Sequence, residues 1–183
     1  MKDKLVLHTC CAICMCYPKT MLEEYDTIFY FYNPNIHPIE EYNRRRDEFV
    51  NYAQSIGIEE HNIIVDEDHK YVDKWYEDIK GFEDEPEKGN RCNICFKNRI
   101  EKSFAYAKDV GAKYVTTVMT VSPHKNSKTI EKIGNALARK YSPVEYLHFD
   151  FKKQDGFKKT NIIANEANLY RQHYCGCEFS IRK

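Results

Sequence analysis

An apolar run, Lys4-Leu5-Val6-Leu7-His8-Thr9, opens directly onto Cys10-Cys11-Ala12-Ile13-Cys14-Met15-Cys16, which places four thiols within seven residues. Three consecutive apolar side chains suit a strand buried on both faces, as the strands of parallel sheets are. In open parallel sheets, ligands bind beyond the carboxyl ends of the strands. The thiols fall at such a place. Two further groups lie far along the chain, Cys92-Asn-Ile-Cys95 and Cys175-Gly-Cys177. Folding is expected to gather all three groups around a metal centre at the mouth of the first strand.

The rest of the chain alternates between two periodicities. Residues 4–8, 27–32, 61–65, 114–118 and 146–149 read as strands, rich in β-branched and aromatic residues. Residues 18–24, 39–56, 68–80, 93–109, 126–141 and 155–169 carry apolar positions at helical spacing. Pro18 is placed at the opening of the first of these helices, where proline is tolerated. Strands alternating with such helices give βαβ units and a parallel sheet. The expected fold is therefore α/β, a Rossmann-like parallel sheet of about five strands with flanking helices, as one domain over residues 1–183. An acidic loop over residues 81–90 would deliver Cys92, and a tail over 170–180 carries Cys175 and Cys177.

Charge excludes little. Lysine plus arginine and aspartate plus glutamate number 28 each, so no global excess of basic residues points to nucleic acid. Charges at Lys2, Asp3 and Lys4 before a short apolar run argue against a signal peptide. No apolar stretch reaches the roughly 18–20 residues that span a bilayer. A cytoplasmic protein is expected, with no membrane partner. In that reducing compartment the eight cysteines are poor disulfide partners and point to metal or redox work.

Cys92-x-x-Cys95 stands where a helix begins, and backbone N–H groups there stabilise thiolates. Its position after a long loop favours ligation over a thioredoxin-like pair. Four-cysteine zinc is one candidate. The adjacent Cys10-Cys11 pair favours an iron–sulfur cluster instead, because neighbouring side chains should diverge toward different irons, and cluster ligands have varied spacings. Cys175-Gly-Cys177 would close a strained ring, which suits a redox-switching dithiol; additional metal ligands are the alternative. A two-electron dithiol beside a one-electron carrier describes a reductase. A metal-free thiol–disulfide oxidoreductase and a zinc-stabilised RNA-binding module are the competing readings.

At this point the residues resemble the epoxyqueuosine reductase QueH family along essentially the full chain. The stretches that carry the resemblance are His8-Thr-Cys-Cys-Ala-Ile-Cys14, Phe31-Tyr-Asn-Pro-Asn-Ile-His-Pro38, Glu41-Tyr42, Arg91-Cys-Asn-Ile-Cys-Phe96, Thr116-Thr117, Val121-Ser-Pro123, Lys125-Asn126, Asp155-Gly156 and Tyr170-Arg-Gln-His-Tyr-Cys-Gly-Cys177. The resemblance implies an iron–sulfur oxidoreductase acting on tRNA. Such an enzyme reduces epoxyqueuosine in the anticodon wobble position to queuosine. It implies a 4Fe-4S cluster on Cys10, Cys11, Cys92 and Cys95, a redox-active disulfide at Cys175 and Cys177, and an external electron donor. It also implies an adenine-nucleotide α-hydrolase-like fold. Cysteines occupy the place of that fold's glycine-rich phosphate loop, so ATP binding is not expected.

Cys14 is left over beside the four ligands. It is read as a ligand for an additional adjacent iron, a proton donor or a packed thiol; Cys16 is read as incidental. With no net positive charge, tRNA would be held by local patches, for which Arg44 with its neighbours, Lys125 and Arg171 are candidates. Tyr32, Tyr42 and Tyr170 are candidates for stacking on an extruded base. His8 is expected to orient the cysteine loop through a hydrogen bond. His37 and His173 are read as packing or surface residues.

Overall fold

Leu5, Val6 and Leu7 lie in β1 (Lys4–Thr9), and none of the three is exposed. Both sides of β1 are paired in parallel, to β2 (Asp26–Phe31) and to β4 (Tyr114–Thr117). With β3 (Ile63–Val65) and β5 (Glu145–Tyr146) they form one all-parallel sheet of five strands, in the order β3-β2-β1-β4-β5. This computed structural model describes residues 2–67 and 69–181.

The pleat of β1 divides the core. Leu5 and Leu7 join Phe29, Phe31 and the apolar sides of α1 (Ala12–Met21), α2 (Ile39–Ser55) and α6 (Gly156–Glu166). Val6 joins Ile28, Tyr30 and residues of α4 (Asn90–Asp109) and α5 (Ser127–Lys140) on the opposite face. A fully buried side chain of this size contributes about 1.5–3 kcal/mol. The sheet centre is therefore held from both sides. α3 (His69–Ile79) packs on α4. Among the described residues, no helix is long and apolar enough to cross a membrane.

Most expected elements are present with small shifts. Residue 68, expected to open α3, lies outside the described residues. The one consequential difference is α1, which begins at Ala12 and not at Pro18. Pro18 sits inside the helix. A proline there removes the N–H that would have reached the Cys14 carbonyl, and its ring crowds that same carbonyl. Cys14 and Cys16 are consequently helical. α4 likewise begins three residues early, at Asn90, which puts Cys92 in its first turn.

The strand order reverses between β1 and β4, so the crevice at their carboxyl ends is the switch point where such sheets bind ligands. Across the sheet, α5 lies against Tyr146 of β5, where a Cβ on Gly134 would stand 2.4 Å from the tyrosine ring. Alanine favours a helix over glycine by about 1 kcal/mol, but overpacking a core costs about 1–3 kcal/mol. Gly134→Ala is therefore expected to lower the urea midpoint, and a raised midpoint would contradict this packing.

Candidate metal centre

β1 ends at Thr9, and the chain turns through Cys10 into α1 with Cys11 as the residue capping the helix, in extended backbone. Cys14 is the third residue of that helix, so Cys10, Cys11 and Cys14 surround its N-terminus. Unpaired N–H groups there favour negative charge. The three sulfurs all lie within 4.8 Å of one another, and those of Cys10 and Cys11 are 3.9 Å apart. The expected divergence of the adjacent pair is not seen, their sulfurs being 3.9 Å apart, although Cys10 lines the cavity shared with Cys92 and Cys95 and Cys11 does not. Hydrogen bonds from Cys11 and Cys14 hold the Cys10 thiol well below the usual range. Donating to Cys10 pushes Cys11 up to about 12 and also raises Cys14.

α4 brings the second pair. Gly89 caps it, and Cys92 and Cys95 lie three residues apart on one face of its first turns. The Lys88 N–H donates to the Cys92 sulfur over 3.3 Å. Burial pushes the Cys95 thiol up, against the pull of the Arg99 charge. Cys92 and Cys95 do not join the three-sulfur group at the spacing of a single ion. They face it across one cavity of about 510 Å³, whose lining includes Cys10, Cys14, Cys92, Cys95, Cys175 and Cys177. Cys16 is buried on α1, donates to the Ala12 carbonyl, and burial raises its thiol to about 11.

The tail is fastened over this cavity by Arg45. Its Nε donates to Glu41 over 2.7 Å, while Nη2 and Nη1 donate to the carbonyls of Tyr174 and Cys175. The His37 N–H donates to the Gly176 carbonyl over 2.8 Å, and the Tyr174 hydroxyl donates to the His37 carbonyl. Gly176 has φ +107°, and a Cβ there would lie 2.8 Å from Ile36. Conformation and close approach both require glycine. From this tail Gln172 donates to the Cys11 sulfur over 3.1 Å. Cys175 is exposed with its sulfur 3.1 Å from the Ser180 hydroxyl, whereas Cys177 is buried and raised to about 12. All eight cysteines are free thiols.

His8 is fully buried. Its Nε2 must donate to the Tyr32 carbonyl (3.1 Å), so its Nδ1 accepts from the Thr117 hydroxyl (2.9 Å). Burial, aided by the Arg99 charge, lowers its pKa to about 3. It ties β1 to β4 and to Tyr32, the residue after β2; its hydrogen bonds go to neighbouring strands and not to the cysteine loop itself. His37 packs against Trp75 and Tyr76, and His173 lines the cavity.

The arginine run separates into three roles. Arg44 stacks on Tyr170, 3.4 Å from the ring centre, and is not part of the thiol cavity. Arg45 clamps the tail, and Arg46 pairs with Asp47 and Glu67. Lys125 and Arg171 do line the thiol cavity, Arg171 donating to Asn161 and Asn165. Tyr32 and Tyr42 line a second cavity of about 730 Å³ that holds no thiol.

Arg99, Gln172 and Ser180 escaped the sequence reading, and Arg45 was read only as part of a phosphate-binding run, not as the clamp on the tail. Arg99 left a readable signal, four residues beyond Cys95 and seven beyond Cys92 on the same helical stripe. The other three depend on where the tail docks, which local pattern does not reveal.

Residues 5–183 match the family model described as Epoxyqueuosine reductase QueH. Curated proteins of that name are similar along the chain. The one from Streptococcus pyogenes is 35% identical, over 99% of this chain and 71% of its own length. The one from Acinetobacter baylyi is 38% identical over 98% of this chain and 81% of its own. The Staphylococcus epidermidis protein is 39% identical over all of this chain and 78% of its own. With a family match over nearly every residue and relatives at this level, the chain belongs to the epoxyqueuosine reductase QueH family.

Proposed function

We propose that this protein is a cytoplasmic, single-domain epoxyqueuosine reductase that acts on tRNA through a 4Fe-4S cluster and a cysteine pair. The observation that carries the proposal is the convergence of thiols from three distant segments on one cavity at the switch point of the sheet. The names of the relatives supply the substrate.

The donor set fits an iron–sulfur group. The converging ligands are soft thiols, the type that selects zinc, copper(I) or iron–sulfur. Two helix N-termini and a buried arginine favour a strongly anionic occupant. Cys10 and Cys11 would hold one side, Cys92 and Cys95 the other. Such a group supplies single electrons and a Lewis-acidic metal when bound. Cys14, whose sulfur lies within 4.8 Å of those of Cys10 and Cys11, remains for an additional adjacent iron or a proton.

Reduction of the substrate breaks both C–O bonds of the epoxide and forms a C=C bond. The oxygen leaves as water, and the change takes up two electrons and two protons. Oxidation of the Cys175/Cys177 dithiol to a disulfide releases two electrons and two protons, so the two half-reactions balance. Cys175 is exposed, which lets an external reductant restore the dithiol. Cys177 faces the buried side, against Trp75. Lys125 and Arg171 at the cavity would meet phosphates, whereas Tyr32, Tyr42 and Tyr170 do not line it and would not stack on a base held there.

Four outcomes test this reading. Anaerobically purified protein given a strong reductant should convert epoxyqueuosine in tRNA to queuosine, read by nucleoside mass spectrometry; no conversion would contradict it. Cys10→Ser and Cys92→Ser should each lose most of the bound iron and the conversion, while Cys16→Ser keeps both. Cys177→Ser should retain its iron yet lose multiple turnover, and full turnover in that variant would end the dithiol proposal. For tRNA binding, Lys125→Ala is expected to reduce the slope of log affinity against log salt by about one; an unchanged slope would remove Lys125 from the interface.

A further inference from the structure

α4 presents Cys92, Cys95 and Arg99 at intervals of three and four, so the three share one face of the helix. Arg99 is only 3% exposed and lines the cavity with Cys10, Cys92 and Cys95. Its Nε donates to the Cys95 carbonyl over 3.3 Å. Among the described residues its two terminal nitrogens have no acceptor, and no carboxylate pairs with it. Of the other two buried arginines, Arg45 is paired with Glu41 and two carbonyls, and Arg91 donates from Nη1 to the carbonyls of Phe82, Glu83 and Glu85, although its Nε has no partner.

That contrast is informative because of what a buried cation costs. An uncompensated buried charge is destabilising by several kcal/mol. Lysine or histidine can escape by losing a proton, but a guanidinium cannot. The negative charge that balances Arg99 therefore belongs in the cavity itself, on the thiol side. The charges that act most strongly on it are those of Cys95, Cys10, Cys175 and Cys92, in that order.

We propose that Arg99 is a positioning residue that neutralises the anionic group held by Cys10, Cys92 and Cys95 and raises its affinity for an electron. This rests on the metal-centre reading above and adds to it the residue that sets the potential. Each electron taken up makes the group more negative, and a fixed cation in a medium of low dielectric favours that state. N–H donors to cluster sulfurs act in the same direction. The electron comes from an external reductant such as dithionite, which is oxidised in the step; no covalent bond of the protein changes. Arg99 need not touch the substrate.

The test compares the native protein with Arg99→Met, which keeps bulk and loses charge, and Arg99→Lys, which keeps charge. Each is purified anaerobically, iron and sulfide per chain are measured, and the midpoint potential is read by dye-mediated titration followed by electron paramagnetic resonance. The expected result is a midpoint more negative in Arg99→Met, with a reduced-to-oxidised ratio lower by about tenfold at a fixed potential. Arg99→Lys should remain near the native value. If Arg99→Met fails to hold iron while Arg99→Lys holds it, the charge-neutralising role is supported by the rescue. A native midpoint in Arg99→Met, or equal loss of iron in both variants, overturns the proposal. A native protein that holds zinc or no iron overturns the metal-centre reading, and this one with it. An iron-bearing native protein with unmoved variants overturns this one alone.

Discussion

Everything at the candidate site depends on the burial of β1 between two parallel neighbours. Leu5, Val6 and Leu7 are enclosed from both faces, and β2 and β4 pair with the strand on both edges. A one-residue slip in register would exchange the two core faces, so the position of Thr9 at the strand end is closely determined. From that end, Cys10 and Cys11 emerge into the crevice where the sheet changes direction. His8 adds a polar tie to the same place, joining Tyr32 and Thr117 beneath the loop. Cys10 and Cys11 thus follow directly from the central strand of the sheet. Metal sites need such support, since ligand geometry must be held by residues that are themselves locked.

The remaining thiols arrive with different degrees of restraint. Cys92 and Cys95 are fixed by α4, a 20-residue helix packed through Phe96, Ile100 and Phe104. Cys175 and Cys177 are on a tail with little regular structure, fastened by Arg45, His37 and the hydroxyl of Tyr174. This division suits the proposed roles. Ligands of an electron carrier gain from rigidity, whereas a dithiol that must meet both the cavity and an external reductant gains from a less constrained support. Only Cys175 of that pair is exposed.

The sheet was legible because its signals are local: the apolar run of residues 5–7, the aromatic strand β2, and helical stripes such as Ile130, Ile133 and Leu137. The start of α1 was not. Pro18 reads locally as a helix opener, yet the helix begins six residues earlier, where Cys11 leaves the strand end. The thiol groups were legible as groups; the meeting of the first two follows from βαβ topology, whereas the third depends on where the tail docks. Their finer arrangement was not, because the facing of Cys10 and Cys11 depends on the extended backbone at Cys11. Nor does a basic run reveal which arginine is buried: Arg44, Arg45 and Arg46 differ only in where the tail and the Glu67 carboxylate happen to lie.

One arrangement of thiols would serve two different occupants. Cys10, Cys11 and Cys14 alone are spaced for a single ion, whereas the wider set across the cavity suits a larger cluster. The buried Arg99 charge and the second helix N-terminus favour the larger, more anionic occupant. Analysis of iron, acid-labile sulfide and zinc per chain in the anaerobically purified protein separates these most directly. The account predicts about four iron and four sulfide per chain, with any excess iron assigned to Cys14. Stoichiometric zinc without sulfide would contradict it.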